Sequence, residues 1–281
     1  MSARSRAILC LFTVTLIAAA QGRGQQSPEM AEGSRLDFEG KSKEAKAAFQ
    51  KAIDNAPTPA AKAQAQRRMA MSYAFDGDCK NAVKYEEMVI AYWQTQEKEA
   101  PGAFYQQGEM ANEAARVCID SGDLAEAERM YRRGRELGLK EPKATAGRKD
   151  LWEFRTEHAL ARIAARKGNK AEAQKHVDAA KKVLEHMATT DASLYQQQQT
   201  YLPYLTGYVA LYTGDLKTAL ADLQKATATD PFVQCLIGMT YEKMGQKDQA
   251  MEWYKKASTT RASNPPGAFA WRFSRQKLGG A

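Results

Sequence analysis

From Thr200 to Pro231 small, apolar and polar residues follow one another with a helical period. Gly207 and Ala210 share one face of a first helix, and Gly214-Asp215 makes a turn. Ala219, Leu223 and Ala226, four and three apart, mark the inner face of a second helix that stops at Asp230-Pro231. Small residues let two helices approach, Gly and Asp suit a tight turn, and Pro ends a helix. The phrase recurs. Turn glycines stand at Gly40, Gly77, Gly122, Gly168, Gly214 and Gly245, and five positions after each comes an alanine: Ala45, Ala82, Ala127, Ala173, Ala219 and Ala250. Seven positions before each is a small residue: Gly33, Ala70, Ala115, Ala161, Gly207 and Gly238. Nine positions after come Phe49, Glu86, Tyr131, Val177, Leu223 and Tyr254. Glu86 does not suit an apolar contact, so the second unit reads as shifted or irregular. No alternating pattern bounded by hairpin turns appears, which predicts essentially all helix.

Helix, glycine turn, helix with an inner alanine, then proline: this unit resembles the tetratricopeptide repeat. Gly207, Gly214, Ala219 and Pro231 carry the resemblance, as do Ile237-Gly238 and Tyr241. Pro203, Thr206, Ala210 and Leu223 stand where the family prefers Trp, Leu, Tyr and Phe. The resemblance implies an all-α, right-handed superhelical solenoid of about six helix-turn-helix repeats. Each hairpin in such an array buries its face only by stacking on the next. Turns and prolines predict helices near 28–39 and 42–55, 60–76 and 79–98, 103–121 and 124–137, 144–167 and 170–188, and 232–244 and 247–259. The fifth hairpin begins at Asp191, an N-cap, with a kink at Pro203. After Asn264-Pro265-Pro266-Gly267, residues 268–278 read as a capping helix, with Phe269, Trp271 and Phe273 covering the last hairpin. The glycines of the third, fourth and fifth hairpins are 46 residues apart, against about 34 in the family. The extra length falls before the first helix of each hairpin, which predicts longer first helices in hairpins three to five. The last interval, 31 residues, implies a clipped connection.

Residues 1–26 have the composition of a signal peptide and short leader. Arg4 and Arg6 precede an uncharged run from Ala7 to Ala20, with Ala18-Ala19-Ala20 as a cleavage site before Gln21. The run is too short to span a bilayer comfortably. Cys10 lies inside it, which argues against a lipoprotein signal. The expected organisation is therefore leader 1–26, repeat array 27–264, and capping helix with tail 265–281. It predicts a periplasmic or secreted protein with no stable membrane insertion after cleavage. Loss of Arg4 and Arg6 lowers the formal charge from +8 to about +6, with acids interspersed throughout, which argues against nucleic acid as partner. Cys79, Cys118 and Cys235 remain, allowing at most one internal bridge. Stacking brings Cys79, opening one helix, near Cys118, late in the next. Either a disulfide or two small buried hydrophobes fits that placement.

The 46-residue period allows first helices to be compared at four equal offsets. The fifth hairpin has Tyr201, Tyr204, Tyr208 and Tyr212, the fourth Arg155, His158, Arg162 and Arg166, and the third Glu109, Asn112, Arg116 and Asp120. Each set keeps within about 80° of arc. In the family this face lines the concave groove. The resemblance therefore implies a peptide-binding face of Asn112, Arg116, Arg155, His158, Arg162, Arg166, Tyr201, Tyr204, Tyr208 and Tyr212, basic in the middle and aromatic toward the C-terminal end. Arginines can grip a carboxylate bidentately, and tyrosines offer rigid apolar area with a hydroxyl. The implied partner is another protein or peptide, acidic or carboxyl-terminated, with an apolar or proline side chain against the tyrosines. The competing reading makes the tyrosines packing and the arginines a solvated face.

Catalytic chemistry finds little support. His158, His176 and His186 are not spaced as zinc ligands, and no HExxH, GxSxG, P-loop or GxGxxG occurs. Asp76-Gly77-Asp78 and Asp120-Ser121-Gly122-Asp123 lack the remaining ligands of a calcium loop and read as turns. A non-catalytic scaffold with no cofactor and no metal is expected. The alternative is an envelope assembly or structural factor acting through its convex face or self-association.

Overall fold

The structure, a computed structural model, describes residues 27–279, so the signal peptide and leader at 1–26 lie outside the described residues. It contains fourteen α-helices among those residues. Six antiparallel hairpins follow one another: α1 (Pro28–Glu39) with α2 (Ser42–Asp54), α3 (Pro59–Asp76) with α4 (Cys79–Thr95), α5 (Ala103–Ser121) with α6 (Leu124–Leu139), α7 (Ala146–Arg166) with α8 (Lys170–Thr190), α10 (Leu202–Thr213) with α11 (Leu216–Lys225), and α12 (Pro231–Lys243) with α13 (Lys247–Ser258). Between the fourth and fifth lies α9 (Ala192–Gln198), and α14 (Pro265–Lys277) follows the sixth. No helix among the described residues is long and apolar enough to cross a membrane.

Each hairpin turns the same way. All six turn glycines have φ between +70° and +92°, a conformation that costs other residues about 1–2 kcal/mol. The next residue, where it is Asp or Asn, caps the second helix. Asp78, Asp123, Asn169 and Asp215 each accept a hydrogen bond from the backbone N–H three residues on. The aspartates at 78 and 123 that superficially suggest calcium loops are thus N-caps.

The recurring offsets describe one contact. A Cβ on Gly33 would lie 2.7 Å from the Phe49 ring, one on Gly207 2.7 Å from Leu223, and one on Gly238 2.6 Å from Tyr254. The small residue on the first helix is therefore the seat of the large one on the second. The alanines five after each turn are buried at the same crossing. The second hairpin is not shifted, contrary to the expectation from Glu86. Ala70 and Ala82 hold their places, and Glu86 is fully buried in the position of Phe49 or Tyr254. Burial, and then the nearby Glu113, pushes its carboxyl well above the usual range, so it resides there as the neutral acid.

The first helices of hairpins two to four are long, at 18, 19 and 21 residues. In the fifth hairpin the extra length is broken instead. α9 passes through a 3-10 turn at Gln199–Tyr201 into a 12-residue α10. Pro203 has no N–H to give and its ring opposes the carbonyl four residues back, so a new helix starts around it. α11 ends at Lys225, five residues before the expected stop, and Pro231 opens α12 rather than closing α11.

Trp152 of α7 is fully buried over two glycines of the preceding hairpin. A Cβ on Gly138 would collide with its indole, and one on Gly108 with the far edge of the same ring system. The Cys79–Cys118 disulfide is present, with Cα atoms 4.7 Å apart. It joins the first residue of α4 to the last turn of α5.

α14 does more than cap. Phe269 and Phe273 pack on the last hairpin, 5.5 Å from Phe232 and 5.8 Å from Tyr254 between ring centres. Trp271 does not cover that hairpin. It meets Phe75 and Phe38 of the first two hairpins at 5.5 and 6.5 Å, and Arg272 donates to the backbone carbonyl of Asp76. α14 packs on α3, α5 and α12, all first helices, and on α13. It therefore lies on the concave side and joins the end of the array to its beginning.

Asp37 in α1 is 3% exposed and accepts from the Ser72 hydroxyl at 2.6 Å. Burial pushes its carboxyl up to about 6. A raised acid pKa means the folded state binds the proton more tightly, so the penalty is full above about pH 6 and absent below the unfolded value near 4. Asp37→Asn keeps the acceptor for Ser72 and removes the charge. The variant is expected to be roughly 1–2 kcal/mol more stable at about pH 8, with the advantage fading through about pH 6 and gone below about pH 4. Urea unfolding at several pH values checks this.

Candidate functional site

A cavity of about 470 Å³ opens on the concave side between α5, α7, α10 and α12, with Asn264, Pro265 and Pro266 forming one wall. Its inner end is built around Tyr204. The Tyr204 hydroxyl accepts from Arg116 Nη2 at 3.1 Å and from Arg162 Nη1 at 3.3 Å. Arg162, 2% exposed, also donates to the Tyr131 hydroxyl at 2.9 Å and to the His158 carbonyl. The Arg116 guanidinium stacks on Phe232 at 4.8 Å. Both arginines thus hydrogen-bond to hydroxyls and a carbonyl or stack on a ring, while the Asp120 carboxylate acts on them through its charge without a hydrogen bond.

This leaves donors without acceptors. Each tyrosine oxygen that accepts from arginine keeps its own proton to give. Arg116 Nε, a donor, is buried with no hydrogen-bond partner among the described residues, and so is His158 Nε2, which donates or accepts according to the ring's tautomer. Burial, and then Arg162 and Arg116, holds His158 well below its ordinary pKa, so the ring is neutral at pH 7. A group rich in acceptors or negative charge suits such a pocket, because unpaired buried cations are costly.

The rim is of mixed sign rather than basic. Glu109, Glu113 and Asp230 also line the cavity. Arg155 pairs with Glu109 and donates to the Tyr105 hydroxyl at 3.0 Å. Glu113 pairs with Arg67, and Asp230 caps α12. Tyr201, 50% exposed, stands at the mouth.

Seven of the ten residues expected on the groove face line the cavity: Asn112, Arg116, Arg155, His158, Arg162, Tyr201 and Tyr204. Three are placed elsewhere. Tyr208 is fully buried between Tyr204 and Tyr212, its hydroxyl without a hydrogen-bond partner among the described residues. Arg166 donates to the Tyr212 hydroxyl at 3.0 Å and stacks on its ring. The reason lies in the period itself. Arg155–Glu109, Arg166–Tyr212 and Arg133–Glu87 each join residues 46 apart. Equal offsets on adjacent helices are neighbours, so much of the stripe is used in stacking hairpins on each other.

Tyr131, Phe154 and Phe232 line the cavity unforeseen. Tyr131 is visible in the sequence only as the large residue nine after Gly122. Phe232 and the Pro265-Pro266 wall depend on how the array closes, which no local spacing reveals.

Residues 233–264, covering all but the first two residues of α12 and the whole of α13, match the family model for the tetratricopeptide repeat. Among solved structures, a tetratricopeptide repeat protein from Parabacteroides merdae is similar over 88% of this chain and 82% of its own, at 15% identity and a TM-score of 0.46. Nearly identical TPR-like repeats of a kinesin light chain from Podosopora anserina, and a single-substitution variant of them, are each similar over 82% of this chain and 91% of theirs, at 16% identity and TM-scores of 0.39 and 0.40. Likeness at that level leaves the fold to rest on the hairpins described above. No curated protein matches the sequence. The chain is a helical-repeat protein carrying a tetratricopeptide repeat at residues 233–264.

Proposed function

We propose that this protein is a non-catalytic scaffold, exported by its N-terminal segment to the periplasm or outside the cell. It holds a segment of a partner protein in the concave cavity. A tetratricopeptide repeat supports the general role of protein binding. One observation carries the choice of partner: the inner end of the cavity presents Arg116, whose Nε has no partner, beside Arg162 and the Tyr131 and Tyr204 hydroxyls, with no carboxylate hydrogen-bonded to either arginine among the described residues. The partner segment is acidic or carboxyl-terminated. A volume of about 470 Å³ is that of a small-molecule site, so a few residues at a chain end fit better than a long strand running through. An apolar or proline side chain would meet Phe154, Phe232 and Tyr201.

The test is fluorescence anisotropy with labelled acidic peptides carrying either a free or an amidated C-terminus. A free terminus is expected to bind at least about tenfold more tightly, since hydrogen bonds to a charged group contribute about 1.5–3 kcal/mol. Tyr201→Ala, at the exposed mouth, is expected to weaken binding about fivefold with an unchanged helical circular dichroism spectrum. Equal affinity for the two termini would remove the carboxylate from the reading. Absence of binding by every peptide would remove the cavity.

A further inference from the structure

Two features that the binding site does not use meet at one place. The first is the side of α14 that faces α3 and α5. Arg272 lies across the turn after α3, where a Cβ on Gly77 would collide with its guanidinium. Trp271 and Ala268 share an apolar cluster with Ala74 and Phe75 of α3, Ala82 of α4 and Val117 of α5. α14 therefore rests on a ledge made from the C-terminal ends of two separate helices, α3 and α5.

The second feature is the disulfide, and it joins the two halves of that ledge. Cys79 comes two residues after Gly77, and Cys118 comes one after Val117. Asp120, two residues further on, has both carboxyl oxygens buried without a partner among the described residues. Burial raises its pKa to about 6, while Arg116, Arg166, Arg162 and Arg272 oppose that rise. The charge of Arg272 thus also bears on the end of α5. The other end of α14 supplies Asn264, Pro265 and Pro266 to the wall of the cavity. The connector from α13 is tied in as well, with Arg261 over the Phe38 ring at 5.3 Å.

We propose that α14 is a strap whose closure is controlled by the Cys79–Cys118 bond. With the bond formed, the ends of α3 and α5 are held at one spacing and α14 spans both. A dithiol reductant delivers two electrons and two protons, breaks the S–S bond into two thiols and becomes a disulfide itself. The two helix ends then move independently, and α14 lets go of the first half of the array. The cavity loses one wall and the concave side opens. The last step bears on partner binding only through the function proposed above, so the test reads the strap itself and needs no peptide.

Hydrogen exchange by mass spectrometry on the full chain, oxidised and after dithiothreitol, gives the direct reading. Exchange in 265–277 is expected to quicken at least about tenfold on reduction while 146–190 stays within about twofold. Unchanged protection of 265–277, with both thiols shown free by alkylation, overturns the proposal. Uniform quickening across the chain also overturns it, because the bond is then a general staple. Linkage supplies an independent reading on the oxidised protein, since coupling between two events is reciprocal. Trp271→Ala loosens α14 without touching the cysteines. In a dithiothreitol redox buffer its Cys79–Cys118 equilibrium is expected to shift toward thiols about tenfold. A folded Trp271→Ala protein with an unshifted equilibrium shows that bond and strap are independent, which overturns the proposal as well.

Discussion

Trp152→Ala is expected to cost about 3–5 kcal/mol, the range for emptying a large aromatic site in a packed core. The indole is fully buried and fills the seam between the third and fourth hairpins. Gly108 and Gly138 have no side chains with which to collapse into the space. Urea unfolding followed by circular dichroism measures the loss. A double-mutant cycle sharpens it. Gly138→Ala places a methyl where the Trp152 indole stands, so alone it must displace the ring and destabilise. In the Trp152→Ala background the same methyl enters the vacated space, and its cost is expected to fall to near zero or change sign. Additive costs would mean that the ring does not rest on Gly138.

Glu86→Leu is expected to act in the opposite direction, raising stability by about 2–3 kcal/mol at pH 7. Both Glu86 oxygens are buried with no hydrogen-bond partner among the described residues. The acid stays neutral because burial, and then the charge of Glu113, disfavours its ionised form. Leucine offers similar bulk at the position where Leu223 already serves in the fifth hairpin. The gain is measured by urea midpoint. Because the acid titrates well above its usual range, it contributes a penalty that is greatest at high pH. The advantage of leucine should therefore shrink toward acid pH and persist in part even there, as the neutral acid still lacks partners. A loss of stability on substitution would show that Glu86 has a partner in solution.

The hairpins can be read in the sequence because their signals are local. A glycine at positive φ, an Asp or Asn cap beside it, and a small residue sixteen positions before a large one all act within one unit. That is why observed helix ends fall close to the expected ones, from Pro28–Glu39 onward. Pro203 and Pro231 are harder. A proline can break a helix or start one, and only its neighbours' packing decides which. Glu86 misleads because composition treats a carboxylate as charged, whereas burial can keep it neutral.

The candidate site is legible in part for a related reason. The stripe from Arg155 to Tyr212 does lie on first helices, but residues at equal offsets touch their counterparts in the next hairpin. Arg166 and Tyr212 satisfy each other, while Arg116 and Arg162 meet at Tyr204 and the Arg116 Nε is left without a partner among the described residues. The spacing reveals the stripe but not this division, which depends on the angle between hairpins. The same holds for Trp271. Its phase on α14 is clear, but its contacts at Phe75 and Phe38 belong to helices on the far side of the array.

The bond from Arg272 to Asp76 spans 196 residues, and it matters for synthesis. A linear stack of hairpins can fold as it emerges, each unit settling on the one before. Here the first two hairpins present Phe38 and Phe75 to a partner helix that the ribosome has yet to make. At about 5–20 residues per second, that interval is on the order of 10–40 seconds. Until α14 arrives, the nascent N-terminal hairpins carry a bare aromatic patch, the kind of surface that chaperones hold.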